Sequence, residues 1–352
     1  MRCPPTRSAG GGTAPLALET PSFCQLLTRG PAISVQLGSG AHTYTVAEGW
    51  AQLPDGWQMS DVGGVAVDRD DRVYVFNRSD HPMIVLDRGG TVLGSWGEDI
   101  FTHPHALHIG PDDALYCTDD GDHTVRKCTP DGKVLMELGV RGKPSGYMSG
   151  EPFCRCTHTA LSPDGDIYVS DGYWNARVHK YSPDGRHLLS WGQPGIGPGE
   201  FNLPHNISCD ADGWVYVADR ESHRIQVFDG NGQFATMWHG VHRPSGLYQT
   251  PDGVCYVGEA GPTYDFNRDA PNLGPRVSIW TARGTMLARL ELPDPAGTQP
   301  GQFLSPHGMA VDSHGDIYVA EVAYTSWPVR FPDRPRPDQL RGLQKLVRVT
   351  AE

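Results

Sequence analysis

The sequence predicts an all-β chain folded as a six-bladed β-propeller. Three observations carry this: a strand with a central tyrosine recurs six times, its copies are one blade apart, and turn residues punctuate the whole chain. The copies are VYVF, LYCT, IYVS, VYVA, CYVG and IYVA, with Tyr74, Tyr116, Tyr168, Tyr216, Tyr256 and Tyr318. The gaps between these tyrosines are 42, 52, 48, 40 and 62 residues, the length of a four-stranded blade with loop insertions. Third strands follow as MIVLD, TVRKC, RVHKY, RIQVF and VSIW, and fourth strands as TVLGSWG, KVLMELG, HLLSWG, FATMW and MLARL. Their alternation and β-branched residues are those of half-buried strands. The sixth blade has LQKLVRVT near the C-terminus but lacks a fourth strand. The segment HTYTVAE (42–48) is the natural completion, closing the ring with both termini and removing exposed edges. The insertions Gly261 to Arg276 and 328–341 read as loops over one face.

The 43 glycines and 30 prolines are spread along 352 residues, as many tight turns require. A formal net charge of −12 argues against a nucleic-acid partner, since phosphate binding needs a basic face. No run of 18 apolar residues suggests a membrane span. Residues 1–35 read as a flexible leader without an apolar signal-peptide core, and 36–352 as the propeller. The eight cysteines form no CxxC pair. They read as reduced thiols in a cytoplasmic protein, with a Cys154/Cys156 metal site as the alternative.

The tyrosines serve as a ruler. Eleven residues before each lie Gly63, His105, Thr157, His205, Ser245 and His307. Histidine occupies blades two, four and six; small residues occupy one, three and five. The first strand of a blade lines the central channel, so three equivalent positions on alternate blades converge on the axis. Three neutral imidazoles with an open fourth direction match a catalytic zinc site. A lone histidine here is more often a packed core residue, but three at one offset are not readily explained so. Proline precedes each (HPH, LPH, SPH), and the other blades lack Pro-His. Acids end the second strand in five blades: Asp119, Asp171, Asp219, Glu259 and Glu321. Their regularity predicts loop capping, with one or two as partners of the imidazoles. His103, His108 and His179 are off the ruler and read as non-ligands. His158, beside Thr157, reads as a substrate contact.

Over residues 42 to 325 the motifs GVAVDRDDRVYVFNRSDH, FTHPHALHIG, YVSDGYWNARVHKYSPDG, FNLPHNIS, VYVADRESHRIQVF and SPHGMAVD resemble the NHL-repeat peptidyl-α-hydroxyglycine α-amidating lyases and their bacterial relatives. That resemblance implies cleavage of a carbinolamide C–N bond to an amide and an aldehyde. It implies zinc on His105, His205 and His307, with Arg78 and Tyr173 as catalytic residues. Zinc would lower the pKa of the substrate hydroxyl. Arg78 would stabilise developing oxyanion charge. Tyr173 would serve as base or as donor. Surface roles are the competing account: an Arg78–Asp80 ion pair, and packing of Tyr173 beside Trp174.

The chain departs from that family at several positions. Ser305 replaces a methionine and is the expected substrate contact there. Gly308 replaces an aspartate that binds structural calcium, leaving only backbone oxygens at Val65 and Leu107, so calcium is doubtful. Cys154 matches half of one family disulfide, its partner position being Trp174; the second pair becomes Tyr216 and Val227. The sequence reads as a propeller without an attached oxygenase domain. The expected activity is a metal-dependent lyase on a small hemiaminal or carbinolamide. The alternatives are a metal-dependent hydrolase or lactonase, and a binding scaffold without chemistry.

Overall fold

The computed structural model describes residues 34–350. The leader expected over 1–35 lies outside the described residues except for its last two. Among the described residues 25 strands form six antiparallel sheets, a six-bladed β-propeller. The inner strands are Val62–Val67, Pro104–Ile109, His158–Leu161, Pro204–Cys209, Pro244–Gln249 and Pro306–Val311. The sixth sheet closes the ring: Leu343–Arg348 pairs antiparallel with His42–Ala47, which pairs in turn with Gln36–Ser39. The expected completing strand is therefore present, and it carries a fifth strand outside it.

Each sheet buries both faces against its neighbours. Tyr168 and Val178 of the third blade, for example, pack with Ile207, Val217 and Phe228 of the fourth. All six ruler tyrosines are buried, and a buried phenol needs a hydrogen-bond partner. In three blades the aspartate of the preceding turn provides it: Tyr74, Tyr216 and Tyr318 donate to Asp68, Asp210 and Asp312 at 3.0, 2.8 and 3.1 Å. The repeat of a turn aspartate followed six residues later by tyrosine thus has a physical basis.

The acids ending the second strands hold the loops that lead into the inner strands. Asp119 accepts from the backbone N–H of His103 (2.9 Å), Asp219 from Leu203 (3.0 Å) and Glu321 from Ser305 (3.3 Å), each two residues before an on-axis histidine. None of them reaches an imidazole on the axis; the capping reading applies and the partner reading does not.

One insertion differs from expectation. The stretch read as loop at 328–341 is preceded and partly replaced by a helix, α1 (Ala323–Arg330). It has no capping side chain of its own. Asp61 of the first blade supplies the cap, accepting from Tyr324 N (2.7 Å) and Thr325 N (3.2 Å). An anionic group at a helix N-terminus satisfies free N–H groups and complements the dipole.

Asp219→Ala removes the acceptor for Asn202 N, Leu203 N and the buried Arg224 guanidinium (2.9 Å each, 3.0 Å for Leu203). Leaving a buried cation unpaired costs about 3–5 kcal/mol. Chemical denaturation of this variant is expected to show a loss of that order; a loss below about 1 kcal/mol would contradict the capping role.

Candidate active site

The head of the inner strand positions the histidines. In five blades the ladder to the second strand slips by one residue there: between Pro104 and Ala106, Pro204 and Asn206, and Pro306 and Gly308, and likewise around Gly63 and Ser245. The residue bypassed is the ruler residue. Such a bulge re-aims a side chain, and here it leaves His105, His205 and His307 outside the pairing, free to face the axis. Proline is at home at this first position, where no ladder donor is needed. Pro244 precedes Ser245 as well, so proline alone does not mark the histidine blades.

The three rings form a compact triangle with centroids 5.1, 4.8 and 4.6 Å apart. Their candidate ligand nitrogens lie within 4.8 Å of one another. Each Nδ1 points at the carbonyl of the ruler residue in the next blade: His105 at Thr157 O (2.6 Å), His205 at Ser245 O (2.7 Å), His307 at Gly63 O (2.7 Å). A carbonyl only accepts, so each Nδ1 carries the hydrogen and each Nε2 keeps its lone pair toward the centre. Burial pushes His105 down to about 3 and His205 and His307 well below the usual histidine range. Neutral imidazoles with fixed tautomers and converging lone pairs fit a divalent transition metal. Among the described residues this is the group of three or more His, Cys, Asp or Glu side chains with such convergence. Cys154 and Cys156 are buried thiols with raised pKa values, desolvation being the main cause.

Tyr173 brings its hydroxyl to the same centre, 3.0 Å from His105 Nε2 and 3.3 Å from His205 Nε2. Arg78 donates from Nε to Pro104 O (3.0 Å), the carbonyl before His105. Its ion pair is with Asp61 (3.4 Å), the cap of α1, and not with Asp80 as a surface role would have it. Arg78, Tyr173, Ser305 and His307 line one cleft of about 440 Å³ over the histidine layer, roofed by Thr325, Val329 and Arg330 of α1 and by Pro262 and Thr263 of the other insertion. His158 is elsewhere. It bonds Ile207 O (3.1 Å) and lines a second cavity of about 210 Å³, further along the inner strands with His108.

Arg155, Arg220 and Arg243 also line the cleft, and the sequence reading passed over them. Arg155 and Arg220 lie 4.9 and 5.6 Å from the Tyr173 ring centre. The ruler contains the missing signal. Arg220 stands four residues after Tyr216, as Arg78 does after Tyr74, and Asp120 stands four after Tyr116. Thirteen before the six tyrosines lie Asp61, His103, Arg155, Leu203, Arg243 and Ser305, of which His103, Arg155, Arg243 and Ser305 line the cleft.

The family's calcium positions, Val65, Leu107 and Gly308, line the second cavity, and no carboxylate does. A Cβ at Gly308 would lie 3.0 Å from Gly63 O and from Gly64 Cα. The residues present do not fit a hard cation, which needs oxygen ligands including carboxylates.

Two outcomes are expected. Elemental analysis of purified protein should give one equivalent of a divalent transition metal per chain, lost in His205→Ala; metal-free wild type that cannot be reconstituted would refute the site. Melting curves with and without a calcium-selective chelator that leaves zinc bound should coincide, and a calcium-specific drop would show that other ligands serve.

The NHL repeat family matches residues 153–181 and 201–228. The chain is 28% identical over 337 residues to peptidyl-α-hydroxyglycine α-amidating lyase 1 of Drosophila melanogaster, covering 83% of this chain and 60% of that protein, so it spans less than two thirds of it. It is 30% identical over 296 residues to NHL repeat-containing protein 3 of Homo sapiens, covering 79% of this chain and 81% of that one. A streptogramin B lyase structure superposes with a TM-score of 0.56 at 14% identity, over 83% of this chain and 94% of that one, a likeness of fold. The chain belongs to the NHL-repeat propellers that are similar to the peptidyl-α-hydroxyglycine α-amidating lyases.

Proposed function

We propose that this protein is a metal-dependent lyase that cleaves the C–N bond of a carbinolamide, an α-hydroxyglycine-like substrate, to an amide and an aldehyde. The observation that carries the reading is the convergence of three neutral Nε2 atoms beside the Tyr173 hydroxyl, at the floor of an arginine-lined cleft. Relatives named as amidating lyases support a lyase. A binding scaffold would have no use for burying three imidazoles against one another. A calcium-dependent lactonase would present carboxylates where these histidines stand.

His105, His205 and His307 would hold the metal, zinc being the ion that such a donor set suits. From a bound divalent ion the site would gain Lewis-acid polarisation of the substrate hydroxyl, lowering its pKa. The residues of the chain do the rest. The hydroxyl loses a proton and the departing amide nitrogen gains one, so no water is consumed. Tyr173 Oη is placed to move that proton. Arg78, held by Asp61 and by Pro104 O, aims fixed positive charge at developing negative charge. Arg220 shares that task across the Tyr173 ring. The α1 roof and the 261–276 insertion shield the centre from water, which strengthens these charges. The six described cysteines are free thiols, which supports a reducing, cytoplasmic location.

α-Hydroxyhippurate is the first substrate, with glyoxylate release as the readout. Removing a donor aimed at developing charge costs about 10²–10³ in rate. Arg78→Ala and Tyr173→Phe are each expected to lower kcat by at least that factor, with metal content and Tm near wild type. Wild type that releases no glyoxylate from any carbinolamide would end the lyase reading; full turnover by both variants would end the assigned roles.

A further inference from the structure

The wall of the cleft changes character around the ring. Its guanidinium groups come from blades one, three and four and from the head of blade five: Arg78, Arg155, Arg220 and Arg243. Blades five and six contribute Pro262, Leu304, Val322 and Val329 instead. Hydrogen bonds make this second arc continuous. Val322 N donates to Ser305 O (3.2 Å), next to Leu304, and Arg330 Nη1 donates to Arg268 O, joining α1 to the 261–276 insertion. Arg243 is the seam between the arcs: its carbonyl accepts from Ala260 N (3.1 Å), and its Nη1 donates to Gly261 O (3.1 Å).

Helix α1 accounts for much of the apolar arc. Val322 at its N-cap, Thr325, Ser326 and Val329 follow the spacing of one helical face, and all four line the cleft. Ala323 and Trp327, on another face, are buried with Leu304 and Leu340 in a small core of their own. The helix thus has its packing partners without Val329, which stays 43% exposed. A lone exposed valine on a convex surface is ordinary. This one continues an apolar wall inside a cleft, where a ligand that covers it gains from its removal from water.

A carbinolamide of the α-hydroxyglycine kind has two unlike ends. The half released as the aldehyde carries a carboxylate, and guanidinium groups bind carboxylates. The half released as the amide carries the acyl group. With the carboxylate on the arginines, the apolar arc is the wall left for the acyl group. We propose that Pro262, Leu304, Val322 and Val329 form an acyl subsite and that the substrate is an N-acyl-α-hydroxyglycine with an apolar acyl group, alkyl or aryl, an assignment that rests on the carbinolamide reading above. Val329 is its specificity-determining residue, because it is the member of the arc with most surface left to cover. A charged or strongly polar acyl group would lose its water there and find no partner on these four side chains.

The test is calorimetric binding of N-acetyl-, N-butanoyl- and N-hexanoylglycine to the metal-loaded protein. These probes have no hydroxyl to react and do not turn over. Each CH2 taken out of water strengthens binding by about fourfold when fully covered. Wild type is therefore expected to bind N-hexanoylglycine at least about tenfold more tightly than N-acetylglycine. Val329→Ser, at an exposed position, should cut that ratio about threefold or more through weaker N-hexanoylglycine binding. Val329→Leu should keep the ratio or raise it. The proposal is overturned if none of the three probes binds, if affinity does not rise with chain length, or if Val329→Ser keeps the wild-type ratio. Glyoxylate release from the matching α-hydroxy compounds checks the lyase reading separately. No release with the chain-length ratio intact would end that reading and leave the subsite for apolar N-acylglycines standing. Release with binding that ignores chain length would end the subsite and leave the lyase.

Discussion

A single extra residue at the head of five of the six inner strands governs the centre of this propeller. Regular pairing would direct that residue's side chain at the face of a neighbouring blade, as the rest of the strand does. The slip in register takes it out of the ladder and turns it to the axis. The same slip leaves a carbonyl free to accept. Each on-axis histidine donates from Nδ1 to the ruler-position carbonyl of the next blade, so Thr157, Ser245 and Gly63 hold the rings of His105, His205 and His307 by backbone alone. Alternation follows from space. At Gly63 a Cβ would sit 2.5 Å from the His105 carbonyl, so that position has no room for a side chain. The threefold arrangement is a packing solution before it is a chemical one.

This explains why so much was legible in the sequence. The ruler works because a buried tyrosine recurs in every blade, with the bulge at a fixed distance before it in five blades and a bonded turn aspartate in three. Strand order, ring closure and the histidine triangle all follow from that fixed spacing. The reading stopped at one offset. Taken four residues past the tyrosine and thirteen before it, the same ruler picks out Asp120, Arg220, His103, Arg155 and Arg243 of the cleft wall, and Asp61 behind Arg78. Helix α1 was not legible by any local rule. AYTSWPVR carries a proline and no capping side chain, and the cap comes from Asp61, 263 residues away. His158 was misplaced for a related reason. One step along an inner strand moves a side chain past the histidine layer, so sequence adjacency to Thr157 puts it in the other cavity.

The cleft wall is built from paired charges. Asp61 anchors Arg78, Asp120 anchors Arg155, and Glu221 anchors both Arg220 and Arg243 at 2.8 Å. Three carboxylates thus hold four guanidinium groups, and Arg330 adds a fifth at the roof. An acid chain with net charge −12 has concentrated an excess of positive charge at one mouth of its channel. Charges held by buried partners do not reorganise when a ligand arrives, and in a low-dielectric cleft they act more strongly than in water.

The two ends of the channel show what distinguishes a reactive centre from a packed one. Both contain imidazoles that desolvation keeps neutral: the half-buried His108 and the buried His158, pushed down to about 4 and about 3, lie at one end, and the on-axis triangle at the other. Burial and shifted pKa values are therefore common to both and identify neither. Convergence does. His108 and His158 are 6.4 Å apart and, among the described residues, belong to no converging group of three ligand side chains, and no charged described residue lines their cavity. The triangle has three lone pairs on one point, a hydroxyl in reach of two of them, and anchored cations around the opening. Among the described residues, only there do the converging donors that a metal requires coincide with anchored charge around an opening.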